Sequence, residues 1–209
     1  RSAHGQEIRG GKMYDDAVQI QPGITYHLDH HQRKDEYDYF YFDVKDGQKI
    51  TASIFTGERG VKIQGSNFRE VSHYSYAGFE LHSPERKKVA YENIIGRPNS
   101  KEQRRVPVGR GHGGRFYLLI GSHLDDQHQE SRFSIDLEDQ YDAGSDTDAG
   151  TTVREAVKIL PGKHRSYFHT NDVIDFYHIS NVSGVTMRAR AEDPKGLLQI
   201  HVEDEDGKI

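Results

Sequence analysis

Tyr37-Asp38-Tyr39-Phe40-Tyr41-Phe42-Asp43-Val44 decides the fold class. Side chains alternate across a strand, so Phe40, Phe42 and Val44 share one face and Tyr39, Tyr41 and Asp43 the other. Lys45-Asp46-Gly47-Gln48 then reads as a tight hairpin turn, because glycine supplies the positive φ such turns need. Lys49-Ile50-Thr51-Ala52-Ser53-Ile54-Phe55 continues as a second strand. Working outward, strand patterns lie at 78–83, 88–92, 104–108, 116–121 and 132–138, with the weakly patterned stretch Thr56 to Tyr76 read as a long decorated loop or an irregular hairpin. Only short turns, around Asp15–Val18 and Thr152–Val157, look helical. Many short strands punctuated by turn residues predict an all-β sandwich.

The chain also repeats itself. Ala17-Val18-Gln19-Ile20-Gln21-Pro22-Gly23 recurs as Ala156-Val157-Lys158-Ile159-Leu160-Pro161-Gly162. The acidic turn into aromatics at Asp35-Glu36-Tyr37-Asp38 recurs ahead of Asp175-Phe176-Tyr177-His178-Ile179. Gly78-Phe79-Glu80-Leu81-His82 is echoed by Leu197-Leu198-Gln199-Ile200-His201, and further strands are expected at 173–179, 185–191 and 197–202. Nothing after Ile209 answers the later strands of the first copy. Self-similarity at this period predicts tandem modules. The expected layout is an N-terminal extension over 1–13, a first β-sandwich over 14–139, an acidic linker over 140–151 and a partial second module over 152–209. A repeat of about 120 to 140 residues can bury its own core, whereas a half repeat of about 60 is marginal. A truncated sandwich exposes edges, so the second module is expected either to continue in a longer chain or to be completed by strand addition. Gln6-Glu7-Ile8-Arg9 is the candidate donor for such complementation, which would join copies head to tail.

Composition narrows the function. The 209 residues carry a net charge of −5, with 29% charged and 33% hydrophobic residues. A mildly acidic balance argues against nucleic-acid binding, which needs a basic face. No apolar run approaches the roughly 18 residues of a membrane span. The absence of cysteine removes disulfides, thiolate zinc sites and cysteine nucleophiles. There are 13 histidines, including His27, His30, His31 and His164, but no His-Glu-x-x-His and no Gly-x-Ser-x-Gly elbow. Gly109-Arg110-Gly111-His112-Gly113-Gly114-Arg115 resembles a phosphate cradle but leads into a strand and lacks Lys-Ser/Thr, so it reads as a hairpin turn. Asp35 and Asp38 recur between modules as turn formers rather than as an acid–base pair. The expectation is a non-catalytic protein.

Two groups of residues remain. In the linker, Asp142, Asp146 and Asp148 lie at short spacing on a glycine-bearing loop. Carboxylates so placed either converge on one hard cation such as Ca²⁺, which takes 6–8 oxygens, or simply keep the linker solvated. Tyr39 and Tyr41, with Tyr74 and Tyr76 in the long loop, are candidates for an exposed ligand-binding stripe.

An Ala-x-x-Ile-x-Pro-Gly strand, then Asp-x-x-Asp with aromatics, a glycine turn and Gly113-Gly114-Arg115-Phe116-Tyr117-Leu118-Leu119-Ile120, resembles the bacterial pre-peptidase C-terminal domain family. The resemblance runs from about Tyr14 to Glu138 and again from about Asp148 to the end. It implies a jelly-roll-like β-sandwich that is secreted or displayed on bacterial or archaeal surfaces. Relatives include the collagen-binding domains of clostridial collagenases, in which calcium at the N-terminal linker tightens the fold. Carried over, that role falls on Asp142, Asp146 and Asp148, helped by Asp172 or Asp175. The first module's Gly10-Gly11-Lys12-Met13-Tyr14-Asp15-Asp16 has fewer acidic groups. The reading is therefore an extracellular structural or adhesive protein of a surface layer, matrix or filament. It would be calcium-stabilised at the linker and self-associating or bound to other surface proteins. The alternative is the accessory substrate-binding or processing region of a larger secreted peptidase.

Overall fold

The structure, a computed structural model, describes residues 6–28, 37–56, 76–95, 101–123, 131–168, 174–180, 190 and 199–202. The strands are β1 (Gln6–Ile8), β2 (Val18–Gln19), β3 (Thr25–Leu28), β4 (Tyr37–Val44), β5 (Gln48–Thr56) and β6 (Tyr76–His82). They continue as β7 (Lys88–Ile95), β8 (Lys101–Val108), β9 (Gly114–His123), β10 (Ser131–Asp139), β11 (Val157–Ile159) and β12 (Tyr177–Ile179). Short 3₁₀ turns at Tyr14–Asp16, Asp142–Gly144 and Val153–Glu155 are the only helical pieces among the described residues. The long loop or irregular hairpin expected between Thr56 and Tyr76 lies outside the described residues except at its two ends. Of the second-module strands, 185–191 lies outside them save for Arg190, and 197–202 is described only from Gln199, where the chain is exposed and unpaired into a strand.

The protein is all-β. Two five-stranded sheets, ordered β1-β3-β10-β5-β8 and β2-β4-β9-β6-β7, pack face to face. Without the flanking β1 and β2, the two rows of four have the jelly-roll order, in which consecutive strands, β6 and β7 apart, alternate between sheets. That order corrects two turns expected from the sequence. Lys45–Gln48 does turn, with Gln48 N–H donating to the Lys45 carbonyl and Gly47 at φ +74°. It carries the chain from β4 in one sheet to β5 in the other, so it is not a hairpin. The glycine-rich stretch after β8 likewise crosses between sheets on its way to β9. Turn chemistry fixes local φ and ψ but does not say whether the flanking strands pair. Within the two sheets the hairpin is β6–β7, closed by Ser83 N–H to Lys87 O and Arg86 N–H to Ser83 O.

The alternation at Tyr37–Val44 is realised as read. Phe40, Phe42 and Val44 are buried, meeting Ile50, Ala52 and Ile54 of β5, Phe79 and Leu81 of β6, Leu118 and Ile120 of β9, and Phe133 and Ile135 of β10. The rings of Phe40 and Phe133 lie 4.8 Å apart across the two sheets, and Tyr26 stacks on Phe133 at 5.4 Å. β10 sits between β3 and β5 and pairs with both. At the open end, Arg104 of β8 donates to the Tyr91 carbonyl and pairs with Glu92 of β7 at 2.8 Å, linking the edges of the two sheets.

Among the described residues, the start of the internal repeat recurs in backbone pairing. Val18 pairs with Phe40 in parallel, and Val157 with Tyr177 in parallel, the same register in both copies. Gly11 and Tyr39 exchange backbone hydrogen bonds, and Phe176 N–H donates to Gly150 O at the matching place. Both glycines are required by space: an added Cβ would lie 2.1 Å from Asp16 O at Gly11 and 2.0 Å from Glu155 Cβ at Gly150. Each is followed by a 3₁₀ turn, Tyr14–Asp16 or Val153–Glu155. The candidate donor segment is paired within the chain, since β1 runs parallel to β3 with Gln6 opposite Tyr26. Any donation of it in trans would require leaving that edge.

Candidate metal centre

The segment expected as a linker is folded onto itself. Ser145 Oγ accepts from Thr147 N–H and donates to Thr147 O, and Asp142 N–H also donates to Thr147 O. Ala143 adopts φ +52°, a left-handed turn conformation. This tight reversal sets Asp142 and Asp148 side by side. The parallel β11–β12 pair then places Asp175, two residues ahead of β12, against them.

One carboxylate oxygen from each of Asp142, Asp148 and Asp175 lies within 4.8 Å of the others. Asp142 and Asp148 are both 0% exposed, unusual for carboxylates in so polar a chain. The Asp142 oxygens accept from Ala149 N–H (2.8 Å) and Tyr167 N–H (2.7 Å). Asp148 Oδ2 accepts from Arg110 N–H at 2.8 Å. Asp175 Oδ2 accepts from the Tyr177 hydroxyl at 3.3 Å, and that hydroxyl also meets Ser166 Oγ. Burial pushes the Tyr177 phenol well above its ordinary pKa, against the Ser166 hydrogen bond, which lowers it. The donor set is all hard oxygen, suited to calcium or magnesium and unsuited to soft metals.

Asp142 and Asp148 are thus brought together as their spacing suggested, and Asp175 joins them. Asp146 is exposed and outside the group. Asp172 lies outside the described residues, as does Tyr74; of the Tyr76 side chain nothing is described. Tyr39 and Tyr41 are half-buried on the outer face of their sheet. The Tyr14 ring meets Tyr39 and Tyr117 edge-on at 5.1 and 5.0 Å, and its hydroxyl bonds His82 Nδ1 at 2.8 Å. The guanidinium of Arg115 lies 4.1 Å over the Tyr41 ring. His82 Nε2 in turn meets Glu80, which also pairs with Lys88. Burial would raise the Glu80 pKa, but the His82 and Lys88 hydrogen bonds together hold it below the usual carboxylate value. Sequence reasoning misses Tyr14 because a lone tyrosine in a turn belongs to no period.

Fold and site together define a jelly-roll β-sandwich with an acidic, oxygen-lined cluster where the second repeat begins. No family model matches the chain, and no curated protein matches its sequence significantly.

Proposed function

We propose that this chain is a non-catalytic, extracellular structural or adhesive β-sandwich protein, a subunit of a surface layer, matrix or filament, stiffened by calcium where its second module begins. The observation that carries the reading is the convergence of Asp142, Asp148 and Asp175, two of them fully buried, between the modules. Two unit charges 4.8 Å apart repel by about 3.5 kcal/mol at an effective dielectric near 20, so a divalent cation would offset a substantial cost. In a chain without cysteine, a bound cation can supply the cross-link that a disulfide would otherwise give.

Thermal unfolding in calcium and in chelator tests the reading. Calcium at about ten times its dissociation constant adds roughly 1.4 kcal/mol to the folded state, visible as a raised Tm. Asp142→Asn abolishes that rise, while Asp146→Asn, outside the cluster, preserves it. Light scattering on the same samples reads self-association, with assembly expected in calcium. Identical melting in calcium and in chelator would overturn the calcium assignment, and a monomer under both conditions would overturn the assembly role.

A further inference from the structure

The first sandwich carries a docking surface for the segment C-terminal to it, built from the β4–β5 and β8–β9 turns. Gly47, at φ +74°, forms its floor: an added Cβ would lie 2.9 Å from the Tyr141 ring, 3.1 Å from Asp148 N and 3.3 Å from Asp148 Cβ. Gly47 O accepts from Gln140 N–H, and Gly47 N–H donates to Val108 O, tying the two turns together. The carboxylate of Asp46 accepts from Gly111 N–H (2.9 Å) and Gly113 N–H (2.7 Å), which fixes the conformation of the second turn. That turn presents Arg110. Its peptide N–H donates to Asp148, and its guanidinium donates to the Glu155 carbonyl at 2.8 Å.

The surface is matched to Asp148-Ala149-Gly150 position by position. The aspartate accepts the Arg110 amide. Ala149 is 0% exposed, leaving no access for a larger side chain without displacement. At Gly150 an added Cβ would lie 3.0 Å from Arg110 Nη1 as well as against Glu155. The first module has Arg9-Gly10-Gly11 at the corresponding place. The glycine that the fold needs is kept there, but an arginine side chain has no acceptor for an amide proton.

We infer that these two turns form a socket selective for an Asp-Ala-Gly lead-in segment, locking the second module to the first sandwich as one rigid body. The partner is a module of the same repeat, joined in the same chain. The lock consists of backbone and arginine hydrogen bonds with steric fit, and Asp148 is shared between it and the carboxylate cluster. Arg9 makes the first module unable to enter such a socket, which gives the stacking a direction.

Amide ¹⁵N relaxation on the full chain, in calcium and in chelator, tests this. Both modules of the unmodified protein are expected to share one rotational correlation time. In Gly47→Asn combined with Arg110→Ala, second-module amides are expected to relax with a shorter correlation time. Asparagine tolerates positive φ, so the first sandwich keeps its amide spectrum. Should that variant lose the first-module spectrum, Arg110→Ala alone, which leaves the β4–β5 turn untouched, carries the test through faster proteolysis between 140 and 151. Two correlation times in the unmodified protein in both calcium and chelator would overturn the inference, as would an unchanged single one in the folded double variant. Asp148 belongs to both the lock and the carboxylate cluster, so the two readings are separated by recording both conditions. Identical melting in calcium and in chelator overturns the metal assignment alone, and independent tumbling in both conditions overturns the lock.

Discussion

Phe133→Ala tests whether the interior is organised around β10. Phe133 is 1% exposed, and its ring contacts Tyr26 in its own sheet and Phe40 in the facing one. Removing a buried phenylalanine costs about 3–5 kcal/mol, and each lost aromatic pair adds about 0.5–1.5 kcal/mol beyond the buried area. These terms overlap in part. The hydrogen-bonded neighbours on both sides of β10 hold the backbone apart and keep the void from collapsing, so the estimate settles near the upper part of that range, about 5 kcal/mol. Against a domain stability of about 5–15 kcal/mol this is enough to remove most of the folded population in mild denaturant. With no tryptophan in the chain, urea unfolding is followed by far-UV circular dichroism and tyrosine fluorescence. The midpoint should fall steeply with the slope unchanged. Val89→Ala, at a side chain 44% exposed, serves as the control and should stay within about 0.5 kcal/mol. A loss below about 1.5 kcal/mol at Phe133 would refute the packing argument, because that is what a half-exposed ring yields.

Two other outcomes rest on named hydrogen bonds and on burial. Asp46→Ala should cost about 2 kcal/mol, since two amides lose a charged acceptor at a partly solvated turn; Asp46→Asn should restore part of it, and equal melting of all three proteins would contradict the role given to Asp46. Tyr177 has its pKa raised by burial, so the folded state holds its proton more tightly than the unfolded state. Its contribution is complete below the ordinary tyrosine value of about 10 and declines as pH rises beyond it. Melting curves in an alkaline series should show this decline in the unmodified protein and a shallower one in Tyr177→Phe; parallel declines would exclude the assignment.

The legible part of the fold is local. Alternation groups Phe40, Phe42 and Val44 on one face, the one the structure buries, and the Asp46-Gly47 pair marks a real turn, because both signals act over a few neighbouring residues. Pairing is hidden: nothing near Gly47 tells that the next strand belongs to the opposite sheet, since jelly-roll neighbours are distant in sequence. The strand pattern starts β8 at Arg104 although it begins at Lys101, because an edge strand facing solvent has no need of apolar alternation there. In the site, Asp142 and Asp148 are legible through spacing, but Asp175 enters only through the family resemblance. Its approach depends on the pairing of β11 with β12. Arg110 looks like one more residue of a glycine-rich turn, since one of its two contacts is made through its peptide nitrogen, which no residue letter encodes, and the other reaches a backbone carbonyl 45 residues later.

The position of β10 has a consequence for how the chain is made. β3 closes onto a strand that begins at Ser131, more than a hundred residues later. While the polypeptide emerges from the ribosome, the first half of the sandwich therefore has no partner for either β3 or β5 along the edges that β10 will fill. Collapse must wait for nearly the whole module, and until then those apolar strands need shielding from chance pairing. Gln140 and Tyr141 come immediately after β10, so the segment that seats on the β4–β5 turn emerges just as that turn acquires its final setting. Closure of the first sandwich and capture of the second repeat would then be consecutive steps of one event during synthesis.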